Sequence, residues 1–183
     1  NYDPDEPYEN RDVRLSDYII YNRTSFKKTT INTYIDAPSD GINVLLTSTR
    51  SGYYLKKFMD PKVTLNPTAP VSSAHTFTLF RETEVLLNYA EAANEAWGPD
   101  GDPNGYGFTA RKKIAELRNR AGITQPDDYL ESIVSKDDMR TLIRNERRLE
   151  LCFEDFRFWD IRRWNDLNTM QESVKGVFIT LDN

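Results

Sequence analysis

Residues 140–164 read RTLIRNERRLELCFEDFRFWDIRRW. Glu146, Glu150 and Glu154 recur at four-residue spacing, and Arg140, Arg144 and Arg148 do the same beside them. On a helix these become two stripes of like charge, and each such i,i+4 pair weakens an isolated helix by about 0.2–0.5 kcal/mol. A chain carrying this segment must therefore fold so that opposite charges reach the stripes from elsewhere. Arg157, Arg162 and Arg163 in the next helical stretch can do so, as can Arg81, Arg118 and Arg120 further back. The planar guanidinium fork binds a carboxylate with two parallel hydrogen bonds, which suits such a site. The segment reads as an ion-pair network that orients helices. A glycosidase-like carboxylate pair is the rival reading. Carboxylates flanked by so many arginines are held ionised, however, and make poor general acids.

The same periodicity organises residues 79–165 as helices. Residues 82–97 place Leu86, Tyr89, Ala90, Ala93 and Trp97 at three- and four-residue spacing, with Gly98-Pro99 as the stop. Residues 109–120 form a second helix with Ala110, Ile114, Leu117 and Ala121 on one face and Gly122 as its stop. These two read as a helix pair. Residues 127–134 suit a short helical turn. Ser135 can cap a third long helix running to about Phe153, which buries Met139, Leu142, Ile143, Leu149 and Phe153. Asp155 can cap a fourth through Trp164. Residues 1–78 are a different material, rich in proline and turn residues. Short strands are expected at 17–22, 41–47 and 52–59, and residues 166–183 connect to a last strand at 177–181. The fold expected is mainly α: tetratricopeptide-like helix pairs (79–165) beside an irregular loop-rich part (1–78) with short β-strands.

Composition removes several functions. The net charge is −5, whereas nucleic-acid binders carry a basic excess. With one cysteine, Cys152, the chain makes no internal disulfide and no thiolate metal cluster. Cys152 reads as a small buried hydrophobe inside the third helix. His75 is the single histidine and has no spaced ligands around it, so it reads as structural. None of the motifs GxSxG, GxxxxGK[ST], HExxH or GxGxxG occurs, so no catalytic residue, metal or cofactor is assigned. The loop Asp100-Gly101-Asp102-Pro103-Asn104-Gly105 imitates the first half of a calcium loop. Its twelfth position, where a bidentate Glu belongs, is Arg111, so it reads as a helix connection.

The aromatic residues divide in two. Tyr89, Trp97, Phe153, Phe156, Trp159 and Trp164 fall on helices and read as packing. Tyr18, Tyr21, Phe26, Tyr34, Tyr53 and Tyr54 fall in the irregular part, where rings can face solvent and stack on a sugar.

Three ordered motifs carry a resemblance. They are FRETEVLLNYAEAANEAWG, with Arg81, Glu84 and Tyr89-Ala90-Glu91-Ala92; ARKKIAELRNRAGI, with Arg118-Asn119-Arg120-Ala121-Gly122; and LIRNERRLELCFEDFRFWDIRRW, with Glu146-Arg147-Arg148, Glu150, Glu154, Arg157, Asp160 and Arg163-Trp164. Together they resemble the SusD/RagB family. Upstream, Arg11-Asp12-Val13-Arg14 resembles that family's D-P-R segment, with Val in place of Pro. Ser51-Gly52-Tyr53-Tyr54 and the lysines after it resemble its TGYY segment, with Ser in place of Thr.

The resemblance implies a cell-surface lipoprotein of the outer membrane, non-catalytic, that binds oligosaccharide or another nutrient and partners a TonB-dependent transporter. Its members are longer and lipidated at an N-terminal Cys. On this reading the chain is a C-terminal portion, tied to the membrane only through an anchor outside this sequence. The shared motifs are scaffold motifs, which assigns Arg81, Glu84, Arg118, Arg120, Glu146, Arg147, Arg148, Glu150, Glu154, Arg157, Asp160 and Arg163 to a structural ion network. Ligand contacts are expected from the stretch after the D-P-R segment, which nominates Tyr18, Tyr21 and Tyr34. A tetratricopeptide-like protein-interaction module is the alternative, and a glycoside hydrolase the weaker one.

Overall fold

The computed structural model describes residues 3–76 and 78–181. Among them lie six helices and four short strands: α1 (Arg14–Tyr18), β1 (Ile19–Ile20), β2 (Thr24–Phe26), β3 (Thr29–Ile31), β4 (Tyr54–Leu55), α2 (Glu82–Trp97), α3 (Ala110–Arg120), α4 (Asp128–Ser132), α5 (Lys136–Glu150) and α6 (Phe156–Arg163). A 3-10 turn lies at Leu167–Gln171. The chain is thus mainly helical, with two small two-stranded sheets among the described residues. It divides into two compact units. One is Asn1–Arg14 with Phe77–Met170, the other Leu15–Thr76 with Gln171–Asn183. No described helix is long and apolar enough to cross a membrane.

The helical unit is built from local signals. Thr109 caps α3 by accepting from the Lys112 amide at 3.1 Å. Ser135 caps α5 by accepting from the Asp138 amide at 3.0 Å. Gly122, at φ 88°, ends α3 in a Schellman turn: its amide bonds Asn119 O at 3.0 Å and the Ile123 amide bonds Arg118 O at 3.0 Å. The core joins Leu87 and Ala90 of α2, Ile114 and Leu117 of α3, Leu130 of α4, and Met139, Leu142 and Ile143 of α5.

Several expectations are corrected here. The buried face of α2 is Thr83, Leu87, Ala90, Ala93 and Asn94, one residue round from the face expected. Asn94 turns inward because its side-chain amide donates to the Lys136 carbonyl at 2.9 Å, and Trp97 is left 47 % exposed. Helix α5 stops at Glu150 rather than near Phe153. The Arg81 guanidinium takes the Glu150 carbonyl at 2.7 Å, and that carbonyl is the acceptor a further helical turn would need. Leu149 is half-buried and Phe153 is 50 % exposed. Cys152 sits beyond the helix end and is half-buried. Asp155 does not cap α6: it is in the left-handed region, φ 63°, whereas a capping side chain needs extended backbone to reach the first amides. Trp159, expected in the packing, is 63 % exposed.

In the second unit, β1 pairs antiparallel with β4, Ile19 opposite Leu55 and Ile20 opposite Tyr54. β2 and β3 form a hairpin whose turn residues Lys27 and Lys28 both have positive φ (50° and 64°), the geometry of a type I′ turn. The expected strand at 17–22 shortens to β1 because Asp17 and Tyr18 close α1. The strand expected at 52–59 shortens to β4. Residues 41–47 are turns rather than a strand. Local turn bonds take the backbone groups a ladder would use: the Asn43 amide bonds Thr49 O at 3.0 Å, the Leu45 amide bonds the Ser48 hydroxyl at 3.0 Å, and Leu45 O accepts from the Ser48 amide at 3.0 Å. Residues 177–181 form no strand; the Val177 amide bonds Ser51 O at 2.9 Å and Ile179 O accepts from the Ile35 amide at 2.9 Å. Glycine is required where these segments meet. A Cβ on Gly176 would lie 2.6 Å from Ser51 O, and one on Gly52 2.6 Å from Val177 O.

The rotated face of α2 is testable. Leu87 is fully buried and Leu86 half-buried. Leu87→Ala is expected to cost about 2–5 kcal/mol in urea unfolding, and Leu86→Ala less than half of that. Equal costs, or the reverse order, would restore the face expected from the sequence.

Candidate functional site

The glutamates of α5 and of the turn after it lie against arginines from three other segments. Glu146 is fully buried. Its Oε1 accepts from Arg14 Nη1, and its Oε2 accepts from Arg118 Nη1 at 3.4 Å. Glu150 accepts from Arg14 at 3.1 Å, Arg81 at 3.0 Å and Arg120 at 3.0 Å. Glu154 takes both Arg81 Nε at 2.8 Å and Nη2 at 2.9 Å, a bidentate fork. The arginines are themselves oriented. Asp12 holds Arg14 at 2.8 Å and 2.6 Å, Asp127 holds Arg118, and Thr83 accepts from Arg81 at 3.0 Å and from Arg120. Asp127 also caps α4 through the Leu130 amide at 3.2 Å, so one carboxylate fixes a helix start and a guanidinium together.

A second cluster ties α2, α5 and α6. Arg147 donates to Asp160 at 3.0 Å and to Asn88 at 2.7 Å. Arg163 binds Asp160 at 3.0 Å and Glu91 at 2.6 Å, and the Trp164 indole N–H donates to Glu91 at 2.8 Å. Arg144 stacks over the Trp164 ring, 4.7 Å from its centroid. Of the residues nominated for the network, Glu84, Arg148 and Arg157 make no ion pair among the described residues. Arg14, Asp12, Asp127, Glu91 and Asn88 are members that the charge pattern of α5 does not point to. Arg163 serves Glu91 and Asp160 rather than the stripe.

The contacts set the protonation states. Burial pushes the Glu150 carboxyl up, but the hydrogen bonds and charges of Arg81 and Arg14 outweigh it and hold it below the ordinary value of 4.5. Asp12, beside Arg14, and Asp127, beside Arg118, are held down against burial in the same way. Glu91 is held down against burial by Arg163 and the Trp164 indole. These carboxylates are therefore anions at neutral pH, fitted to hold cations and unfitted to donate a proton to a leaving group.

The remaining sequence features have definite places. Tyr18, Tyr21 and Tyr34 all lie in the second unit and are half-buried. Tyr18 ends α1, with the Lys57 ammonium 4.3 Å from its ring centroid. Tyr21 precedes the β2–β3 hairpin, and its amide bonds Thr24 Oγ1 at 2.9 Å. Tyr34 comes after β3, and its carbonyl accepts from Ala37 at 3.2 Å. In the loop that imitates a calcium site, both carboxylates have internal partners. Arg111 binds Asp100 at 2.7 Å and 2.8 Å, and Asp102 accepts from the amides of Tyr106 at 3.0 Å and Gly107 at 2.7 Å. Among the described residues no group of acidic, His or Cys side chains is arranged to hold a metal. His75 meets Phe58 edge to face, with 5.9 Å between ring centroids.

Comparison with known proteins adds a family. The model described as the SusD family matches residues 1–178. Two relatives from Formosa agariphila are the SusD-like protein P38, 32 % identical over 102 residues, and the SusD-like protein P2, 34 % identical over 95 residues. The aligned parts are 54 % and 50 % of this chain but 19 % and 17 % of those proteins. A crystal structure of a SusD-like carbohydrate binding protein from Bacteroides fragilis superposes with a TM-score of 0.62 at 28 % identity, covering 90 % of this chain and 31 % of that one.

The network makes two predictions. Glu146→Gln leaves Arg14 and Arg118 buried without their shared counter-charge and is expected to cost about 3–5 kcal/mol. Glu95→Gln, which removes the exposed pair with Arg140, is expected to cost less than about 1 kcal/mol. Urea unfolding of both variants checks the contrast. The depressed carboxyls also set the acid limit: their contribution is complete above the unfolded values of 4.5 for Glu and 3.8 for Asp, and drains away as pH falls through their lower folded values. Urea midpoints are expected to hold steady from pH 7 to about 5 and to drop steeply below about 4. A flat profile down to pH 3 would contradict this assignment.

Proposed function

The chain belongs to the SusD family, and from that premise we propose that it forms part of a glycan-binding protein that captures oligosaccharide without chemical change. The family match over residues 1–178 carries the reading. The solved relative described as carbohydrate binding supports the ligand class. The chemistry agrees with a binding rather than a hydrolytic role, since Glu146, Glu150 and Glu154 are each bound by guanidinium groups. We place ligand contacts at Tyr18, Tyr21 and Tyr34. A pyranose stacks its apolar face on such rings, and the phenol hydroxyl bonds the sugar rim. The finer parts of the proposal are a cell-surface, outer-membrane setting through a lipid anchor and delivery of the captured oligosaccharide to a TonB-dependent transporter.

Calorimetric titration of the protein with a panel of hexasaccharides, alongside a peptide panel, tests the binding. At least one oligosaccharide is expected to bind, with no new reducing ends after prolonged incubation. The triple variant Tyr18→Ala, Tyr21→Ala, Tyr34→Ala is expected to weaken it at least tenfold, since a lost aromatic stack is worth about 1 kcal/mol or more. A reproducible blank against every glycan contradicts the reading. Release of reducing ends contradicts its non-catalytic part.

A further inference from the structure

The turn between α5 and α6 holds a feature that neither the ion network nor the nominated tyrosines use. Phe153 is 50 % exposed, Phe158 45 % and Trp159 63 %. With Leu151, Asp155 and Arg157 they line a cleft of about 460 Å³, within the usual range of small-molecule sites, about 300–1,000 Å³. Of the lining residues, Leu151 is buried and belongs to the core.

We infer that this cleft is a sugar-binding subsite on the helical unit, with Trp159 as the stacking platform and Asp155 and Arg157 as its hydrogen-bonding groups. The inference rests on the glycan-binding reading above and assigns it a second location. Three observations carry it.

The platform is braced. Phe158 meets Trp159 edge to face at 5.1 Å and 81°, and the Arg162 guanidinium lies 5.3 Å from the Phe158 ring centroid. A ring already held by its neighbours loses little freedom when a ligand stacks on it.

The backbone is also held in an uncommon form. Phe153 has a φ of 62°, a region that residues with bulky side chains rarely enter. Such strain costs of order 1–3 kcal/mol and clusters at binding sites.

Finally, the polar groups are unspent. Arg14, Arg81, Arg118, Arg147 and Arg163 around this helical block are each paired. Asp155 and Arg157 make no ion pair or side-chain hydrogen bond among the described residues. An apolar partner seated in the cleft would strip water from both without replacing its hydrogen bonds, which is costly. A pyranose answers each surface: its apolar face suits the indole, its hydroxyls donate to the Asp155 carboxylate, and they accept from the Arg157 guanidinium.

The test is an NMR titration of the whole protein with cellohexaose, xylohexaose, maltohexaose and mannohexaose, following the three indole N–H signals. The Trp159 signal is assigned by its disappearance in Trp159→Phe. It is expected to shift with at least one oligosaccharide. Trp159→Ala is expected to weaken that oligosaccharide at least tenfold, and Arg157→Gln at least threefold, with melting temperatures unchanged because Trp159 and Arg157 lie outside the core. If an oligosaccharide binds while the Trp159 signal stays fixed, or if Trp159→Ala binds as tightly as the wild type, the subsite is wrong and the glycan-binding reading stands. If no oligosaccharide in this panel or the wider one binds, both fall.

Discussion

The structure of the helical unit depends on a buried carboxylate, Glu146, held between Arg14 and Arg118. Burying an isolated ionised carboxylate costs far more than a domain's net stability, so the fold exists only where both guanidiniums reach it. That condition draws in the rest. Arg14 comes from the start of the chain with Asp12 at its back, and Arg118 comes from α3 with Asp127 at its back. Through Asp127 the demand reaches the first turn of α4, and through Glu150 it reaches Arg81 at the threshold of α2.

The network does more than neutralise charge. Arg81 binds two carboxylates and a backbone carbonyl, and so decides where α5 ends. Beyond that end the chain enters the left-handed turn that leaves Phe153 and Trp159 in solvent. Charge pairing in the interior and an aromatic surface outside are therefore linked through a single guanidinium. Buried ion pairs are weak evidence of net stabilisation, because apolar residues of equal volume often do as well. Here their contribution is directional: the segment at Arg14, α2 with Arg81 before it, α3 and α6 are brought to one register on α5.

How much of this the sequence carries depends on distance along the chain. The caps at Thr109 and Ser135 and the stop at Gly122 involve neighbours within five residues, and they are readable from residue type alone. The need for partners along the Glu stripe is equally readable, because like charges at i,i+4 are a local fact. Which partners arrive is readable only in part: Arg81, Arg118 and Arg120 stand out as candidates and reach the stripe, but Arg14, 132 residues from Glu146, does not stand out. The face of α2 misleads for a related reason. Leu86 and Leu87 are adjacent and equally apolar, and the choice between them falls to Thr83 and Asn94, whose burial is justified by hydrogen bonds from Arg81 and Arg120 and to the Lys136 carbonyl. Residues 41–47 have strand composition but are held as turns by bonds to the Thr49 carbonyl and to Ser48, a competition that β propensity does not register. The sugar-stacking assignment of Tyr18, Tyr21 and Tyr34 lies beyond local pattern altogether, since it depends on which ring faces remain open in the assembled protein.

The central claim is that the α5 carboxylates are structural anions clamped by distant arginines. A double-mutant cycle on Arg14→Leu and Glu146→Leu in urea unfolding tests it most directly. The account predicts that the two single variants each lose several kcal/mol, while the double variant loses less than their sum by about 1.5–3 kcal/mol. Additive losses, with a coupling below about 0.5 kcal/mol, would contradict it.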